Sequence, residues 1–343
     1  MRIAMLSTIC WRTPPRHYGP WEMTASLIAE GLVKRGVDVT LFATGDSQTK
    51  AKLEWTCPRP VHEDPELDYK VEECLHISNL IEQAKKGHFD LIHNHFDFLP
   101  LTYSQLVDSP IITTIEGFSS KKILSVYKKY NRRTHYVSIS NADRYPNLRY
   151  VATIYHGINV DEFPFSKTGG ERLLFLGRIS PQKGTHLAIE VARRCRRPLT
   201  IGGIIQDQCY FDERVKPFID GKEIRYIGPV MSQDKGRLLA ESYCLLHLID
   251  FEEPFGLVMI ESMACGTPVI AFRRGSIPEV IDSGKTGYIV EDINEAIEML
   301  PLIPKIGRGI CREHVKRYFT ADRMVDEYLK VFNFILSKKT SFR

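Results

Sequence analysis

Two carboxylates eight positions apart, Glu253 and Glu261, frame the segment Glu253-Pro-Phe-Gly-Leu-Val-Met-Ile-Glu261. Pro254 and Gly256 keep Glu253 in a loop, and the apolar spacing of Ile260, Met263 and Ala264 predicts a helix starting near Leu257. Glu261 then sits about one turn inside that helix. The N–H groups of Gly256, Leu257 and Val258 have no helical acceptor, so the helix start suits an anion. Carboxylates on either side of it accept hydrogen bonds from paired sugar hydroxyls. A second segment, Gly177-Arg-Ile-Ser-Pro-Gln-Lys-Gly184, follows an apolar strand and precedes a helix. Ser180, Pro181 and Gly184 are turn formers, so Arg178 and Lys183 land at the strand's carboxyl end. A guanidinium fork beside an ammonium point charge suits a diphosphate. Taken alone, either segment also reads as solvated surface, since acids are common at helix starts and cations are ordinary in loops.

The elements that must hold these groups alternate along the chain. Strands are expected at Ile3–Thr8, Asp38–Ala43, Leu91–His95, Ile111–Ile115, Tyr136–Ile139 and Ala152–Tyr155. Helical patterns lie between them, as at Met23–Lys34 and Ile77–Lys85. The alternation restarts with strands at Leu173–Gly177, Leu199–Gly203, Ile224–Val230, Cys244–Ile249 and Val269–Arg273, with helices at Thr185–Cys195, Gln233–Glu241 and Leu257–Ala264 among them. Apolar strands alternating with helices predict parallel sheets covered on both faces. The polar stretch Asp161–Glu171 places a boundary near Phe165, giving domains 1–165 and 166–319. Residues 320–343 carry an amphipathic stripe (Met324, Tyr328, Val331, Phe332, Ile335) and are expected to form a helix packed back on the first domain. The expected class is α/β, two Rossmann-like doubly wound domains facing a cleft, where ligands bind at the carboxyl ends of the strands.

Composition narrows the function classes. With 343 residues and ~150 per domain, about two domains are expected. Hydrophobic residues are 43% and charged residues 26%, which excludes a disordered or fibrous chain. Lys and Arg number 46 against 42 Asp and Glu, and a net charge of +4 is low for a general nucleic-acid binder. None of the eight cysteines forms a CxxC pair, and most lie in apolar runs, as reduced core thiols do. The opening residues MRIAMLST read as a strand rather than a signal peptide, and no apolar run approaches the ~20 residues of a membrane span. A cytoplasmic protein is the expectation.

Arg178 and Lys183 together with the Glu253-x7-Glu261 spacing resemble glycosyltransferase family 4, retaining enzymes of the GT-B fold. The resemblance covers nearly the whole chain, through Thr13–Glu22 (TPPRHYGPWE), Val39–Ser47, Asp90–Pro100 (DLIHNHFDFLP), Ile154–Phe163 (IYHGINVDEF) and Met263–Ile281. It implies a nucleoside diphosphate sugar donor, of the UDP-glucose or GDP-mannose type, a hydroxyl-bearing acceptor, and no cofactor. Arg178 and Lys183 would bind the donor diphosphate and stabilise charge on the leaving group. Glu261 would hold the ribose hydroxyls and Glu253 the donor sugar near its 3-hydroxyl. N–H groups after Gly256, at Leu257 and Val258, would add to the phosphate site. The loop around Gly19 would lie beside the phosphates and the acceptor, with His95 on the acceptor side. Pro229–Met231, including Val230, falls where the base is usually held, and Lys235 lies just beyond.

The chain departs from that family at two places. Gly19-Pro20 replaces a common Gly-Gly pair, removing one backbone donor. Thr114-Ile-Glu-Gly117 replaces the usual TIHG, so Glu116 stands where a histidine commonly contacts the donor sugar. His93 and His95 share one face of a strand end, but no third ligand is suitably spaced, and no Asp-x-Asp triplet occurs. No metal site is expected. Lys121, Lys122, Lys128, Lys129, Arg132 and Arg133 are spaced to share one helical face, either solvated or meeting an anionic acceptor or bilayer surface. Two other functions share the architecture: a non-catalytic nucleotide-sugar-binding protein, and a sugar-nucleotide epimerase.

Overall fold

A computed structural model describes residues 1–118 and 120–340. The chain divides into two compact units. In the first, strands β1 (Arg2–Leu6), β2 (Asp38–Phe42), β3 (Lys52–Glu54), β4 (Leu91–Asn94), β5 (Ile111–Ile115), β6 (His135–Ser138) and β7 (Tyr150–Thr153) form one sheet, in the order β3-β2-β1-β4-β5-β6-β7. In the second, β8 (Leu173–Leu176), β9 (Leu199–Gly202), β10 (Ile224–Tyr226), β11 (Cys244–His247), β12 (Val269–Phe272) and β13 (Gly287–Val290) are ordered β10-β9-β8-β11-β12-β13. All neighbouring strands pair in parallel. The order reverses between β1 and β4 and between β8 and β11, so each unit has a switch point at the carboxyl ends of those strands.

Helices cover both faces of the first sheet. Leu6, Phe42 and Ile92 pack with Ile77 and Leu80 on one side. Ile3, Met5 and Leu41 pack on the other with Ile28 and Leu32, and with Met324, Val325, Tyr328, Phe332 and Ile335 of the last helix. That helix, Ala321–Thr340, is therefore part of the first unit. Arg35 ties it down, Nε reaching Asp326 at 2.7 Å and an NH2 group reaching Asp322 at 3.0 Å. Residues 341–343 of the expected terminal segment lie outside the described residues.

The units divide between Gly157 and Ile158, eight residues before Phe165. Ile158 N–H donates to the Phe319 carbonyl at 3.0 Å, and the Val160 and Phe163 carbonyls accept from Arg312 of the second unit. The polar stretch that drew the expected boundary is a loop within that unit. β10 stops at Tyr226, and Gly228 and Pro229 turn the chain, so Ile227–Met231 is loop rather than strand.

Three expectations need correction. The basic stripe does not share one helical face: the helix spans only Leu124–Tyr130, with Lys121 and Lys122 on a preceding 3₁₀ turn and Arg132 and Arg133 beyond its end. Arg133 turns back to the Ser104 and Val107 carbonyls. The cysteines are free thiols, but only Cys57, Cys244, Cys265 and Cys311 are buried, and Cys74 and Cys209 are exposed. The helix expected from Ile77 begins at Tyr69, capped by the Asp68 carboxylate, which accepts from Val71 N–H at 2.9 Å. Among the described residues, no helix is long and apolar enough to cross a membrane.

Candidate active site

In the second unit the chain leaving β8 stays in register with the chain leaving β9. Gly177 N–H donates to Gly202 O at 3.0 Å and Ile179 N–H to Ile204 O at 2.8 Å. Arg178 is held on this shelf, its Nε buried and without an acceptor among the described residues. Pro181–Lys183 makes a 3₁₀ turn, and Gly184 caps the helix Thr185–Arg194 at φ 73°, in the left-handed region. A Cβ on Gly184 would lie 1.9 Å from the Leu248 carbonyl oxygen, so the loop touches the chain leaving β11 only because the residue is glycine. Gly184→Ala is expected to destabilise this unit by about 2–3 kcal/mol. A lower urea midpoint reads this out; an unchanged one would mean that the loop moves freely away from Leu248.

That approach brings Lys183 to the first carboxylate. Lys183 Nζ lies 3.1 Å from Glu253 Oε2 and 4.5 Å from the centre of the Phe251 ring. His247, the last residue of β11, places Nε2 3.3 Å from the same oxygen. Burial pushes the Glu253 carboxyl up, but His247 and Lys183 outweigh it and hold the pKa down to about 2. The Glu253 main chain is fixed by Ser276 N–H, which donates to its carbonyl at 2.9 Å, while Gly275 N–H donates to the Glu252 carboxylate at 2.5 Å.

Gly256, at φ 81°, then starts the helix Leu257–Ala264. The helix is buried from Met259 to Ala264, so Glu261 is drawn inside with the apolar face and is only 8% exposed. Its carboxylate is met by Lys235 of the helix Ser232–Ala240. Leu257 and Val258 occupy the first turn, outside the helical hydrogen-bond ladder. Val230 and Met231 lie on the loop just before the Lys235 helix, Met231 exposed and Val230 against Gly202. The structure thus joins Lys183 to Glu253 and Lys235 to Glu261. Among the described residues Arg178 is joined to neither pair by a hydrogen bond or ion pair.

In the first unit, His95 follows β4 and Glu116 follows β5. Glu116 is gripped from both sides: His156 Nε2 lies 2.8 Å from Oε2, and His95 Nδ1 lies 3.3 Å from Oε1. All three side chains are buried, none more than 4% exposed. Burial alone would raise the Glu116 pKa, but the two imidazoles outweigh it and hold the carboxylate ionised. His95 Nε2 is buried without a partner among the described residues. His93 faces the fold instead: its Nε2 is 2.8 Å from the Thr114 hydroxyl, which is 2.7 Å from the Tyr328 hydroxyl of the last helix. Among the described residues no three acids, histidines or cysteines are grouped to hold a metal ion. Gly19 immediately precedes the helix Pro20–Lys34, its carbonyl accepting from Met23 N–H at 2.9 Å. Pro20 is at the first helical position, where an N–H would have no helical acceptor. Beside it Glu22 is buried, accepting from the Thr8 hydroxyl and, at 3.3 Å, from Trp11 N–H.

Two residues at these carboxylates, His156 and His247, are missed by the sequence reading. His156 lies in the quoted IYHG segment, and its only signal there is an imidazole following the apolar run Val151–Tyr155. The signal for His247 is a polar residue ending the otherwise apolar strand Cys-Leu-Leu-His.

Comparison with known proteins adds to the geometry. Residues 159–300 match the family described as glycosyl transferases group 1, and residues 22–162 match glycosyltransferase family 4. Spore coat protein SA of Bacillus subtilis is 23% identical over 383 residues, covering 97% of this chain and 99% of that protein. A D-inositol 3-phosphate glycosyltransferase of an Arthrobacter strain is 26% identical over 332 residues, covering 80% of this chain and 78% of that one. The crystal structure of Anabaena HepE in complex with UDP and glucose superposes with a TM-score of 0.76 at 18% identity, covering 97% of this chain and 99% of that chain. At that identity the likeness is one of fold.

Proposed function

Because the chain belongs to glycosyltransferase family 4 and has the GT-B fold, we propose that it moves a hexose from a nucleoside diphosphate sugar to an acceptor hydroxyl. The observation that carries this reading is the pairing of Lys183, from the turn after β8, with the buried carboxylate of Glu253, from the chain after the neighbouring strand β11. Arg178 and Lys183 bind the diphosphate of a UDP-glucose or GDP-mannose type donor. N–H groups of Leu257 and Val258, after Gly256, complete the phosphate site. Glu253 accepts from the sugar hydroxyls and Glu261 from the ribose, while Val230 and Met231 flank the base and Lys235 stays with Glu261. The acceptor is met by the first unit, through the loop at Gly19 and through His95 and Glu116. HepE, which shares the fold, was solved with UDP and glucose, in keeping with a uridine donor.

The reaction breaks the bond between the sugar's anomeric carbon and the diphosphate oxygen. Positive charge grows on the ring and negative charge on the leaving phosphate, and preorganised cations stabilise the latter. The acceptor oxygen bonds to the anomeric carbon, and its proton passes to the departing phosphate on the same face. Configuration is retained, and no side chain is needed as a general base.

A thermal-shift panel with UDP, GDP, ADP and their sugar conjugates tests the donor. A ligand at 100 times its dissociation constant adds about 2.7 kcal/mol to the folded state. One nucleotide is expected to shift the transition, and its sugar conjugate to release free diphosphate on adding acceptor. A shift without turnover against any acceptor would instead favour a nucleotide-sugar sensor. Glu253→Gln separates sugar from nucleotide contacts: the transfer rate is expected to drop more than ~tenfold, with UDP or GDP affinity little changed. Loss of nucleotide binding in that variant would remove Glu253 from the sugar side.

A further inference from the structure

We propose that His247 is a positioning residue, holding the Glu253 carboxylate in place when Lys183 turns from it to the donor diphosphate. The assignment rests on the donor-site reading above and names a group outside it. β11 reads Cys-Leu-Leu-His, and its last residue is a buried imidazole where a further apolar side chain would pack at no polar cost. Glu253 lies against that ring, with Nε2 3.3 Å from Oε2. The contact is not yet a hydrogen bond, since Nε2 has no partner in bonding geometry among the described residues. Lys183 Nζ holds the same oxygen at 3.1 Å. Both contacts fall on Oε2, which leaves Oε1 for a sugar hydroxyl.

The charges explain why a second holder is needed. Lys183 reaches Glu253 from a turn, and its ammonium pairs with a buried carboxylate. A diphosphate competes for that ammonium. As Lys183 turns, a buried carboxylate left unpaired would either take up a proton or swing toward water. His247 stands on a strand and cannot follow the phosphates. With its proton on Nε2 it donates to Oε2 once the lysine withdraws, and Glu253 keeps its charge and direction. The Ser276 N–H bond is to the Glu253 carbonyl, so it holds the main chain rather than the carboxylate.

The test compares wild type, Lys183→Ala, His247→Leu and His247→Gln. UDP-glucose and GDP-mannose are the probes, read by diphosphate release across pH, with UDP and GDP binding measured by calorimetry. His247→Leu is expected to lower kcat by ~tenfold or more, with nucleotide affinity held within about twofold. The acid limb of its kcat profile moves to higher pH, because Glu253 loses a partner that favours its charged form. His247→Gln, which carries a neutral donor at nearly the same reach, recovers most of the rate. His247→Leu indistinguishable from wild type, while Lys183→Ala loses turnover, would overturn the assignment alone. Equal loss of rate and nucleotide affinity in both His247 variants would also overturn it, pointing to packing. Wild type and Lys183→Ala alike in failing to bind or turn over either donor would overturn the donor-site reading, and this assignment with it.

Discussion

Lys183→Ala is expected to weaken use of the sugar donor by more than tenfold, and Arg178→Ala to do the same, since each lost charge-assisted bond removes roughly 1.5–3 kcal/mol. The two variants differ in what else they disturb. Arg178 Nε has no partner among the described residues, so its removal takes away a ligand contact and leaves the fold's stability nearly unchanged. Lys183 also neutralises Glu253 at 3.1 Å, so its removal leaves a buried carboxylate with His247 alone. Folding stability then responds to pH in a definite direction. Glu253 has a folded pKa of about 2 against an ordinary 4.5, so its stabilisation is complete above pH 4.5 and is lost as pH falls toward 2. Lys183→Ala reduces that contribution, so the variant is destabilised at neutral pH and its stability falls less steeply below pH 4.5. Donor kcat/KM from diphosphate release, with urea midpoints at pH 7 and pH 3, measures both effects. Unchanged kinetics in both variants would remove the diphosphate from this loop.

What can be read from the sequence follows the range of the interactions. The strands are legible because both faces of each sheet are covered, so runs such as Ile3–Leu6 and Leu173–Phe175 are apolar at every position. The loop Gly177–Gly184 and the helix from Leu257 are legible because turn formers and apolar spacing act within a few residues. Partnerships are not legible, because Lys183 and Glu253 are 70 positions apart and meet only through the strand order β8-β11. Residue type alone points both lysines at ligand, and their standing pairs with Glu253 and Glu261 emerge only from the fold. The basic stripe fails for the opposite reason: its spacing fits a helix, but the helix has only seven residues, Leu124–Tyr130. The polar stretch Asp161–Glu171 reads as a linker by composition, but the chain joins the second unit before it, through the Ile158 N–H bond to the Phe319 carbonyl and the Arg312 guanidinium bonds to the Val160 and Phe163 carbonyls.

Glu116→Gln is expected to destabilise the first unit by about 1.5–3 kcal/mol at neutral pH, the range for hydrogen bonds to a charged group. Position 116 departs from the common family residue, and the structure shows what the departure is joined to. The carboxylate holds His156 at 2.8 Å on one oxygen and His95 at 3.3 Å on the other. An amide keeps the shape but offers only one acceptor, so one imidazole must give up its contact or reverse its tautomer. The sign of the pH effect follows from the folded pKa, which the imidazoles hold below the ordinary 4.5. Wild-type stabilisation from this group is complete above pH 4.5 and falls as the carboxylate protonates at lower pH, so the gap between wild type and Glu116→Gln closes on acidification. Glu116→His, which restores the common residue, is expected to lose both stability and rate, because it sets three buried imidazoles together with no anion between them. The residue is thus tied to His156, and changing one without the other leaves a buried polar group unmatched. Urea unfolding of both variants from pH 3 to pH 8, beside their transfer rates, decides the matter. A faster Glu116→His enzyme of undiminished stability would mean that Glu116 only hinders the sugar and that the histidine grip contributes nothing.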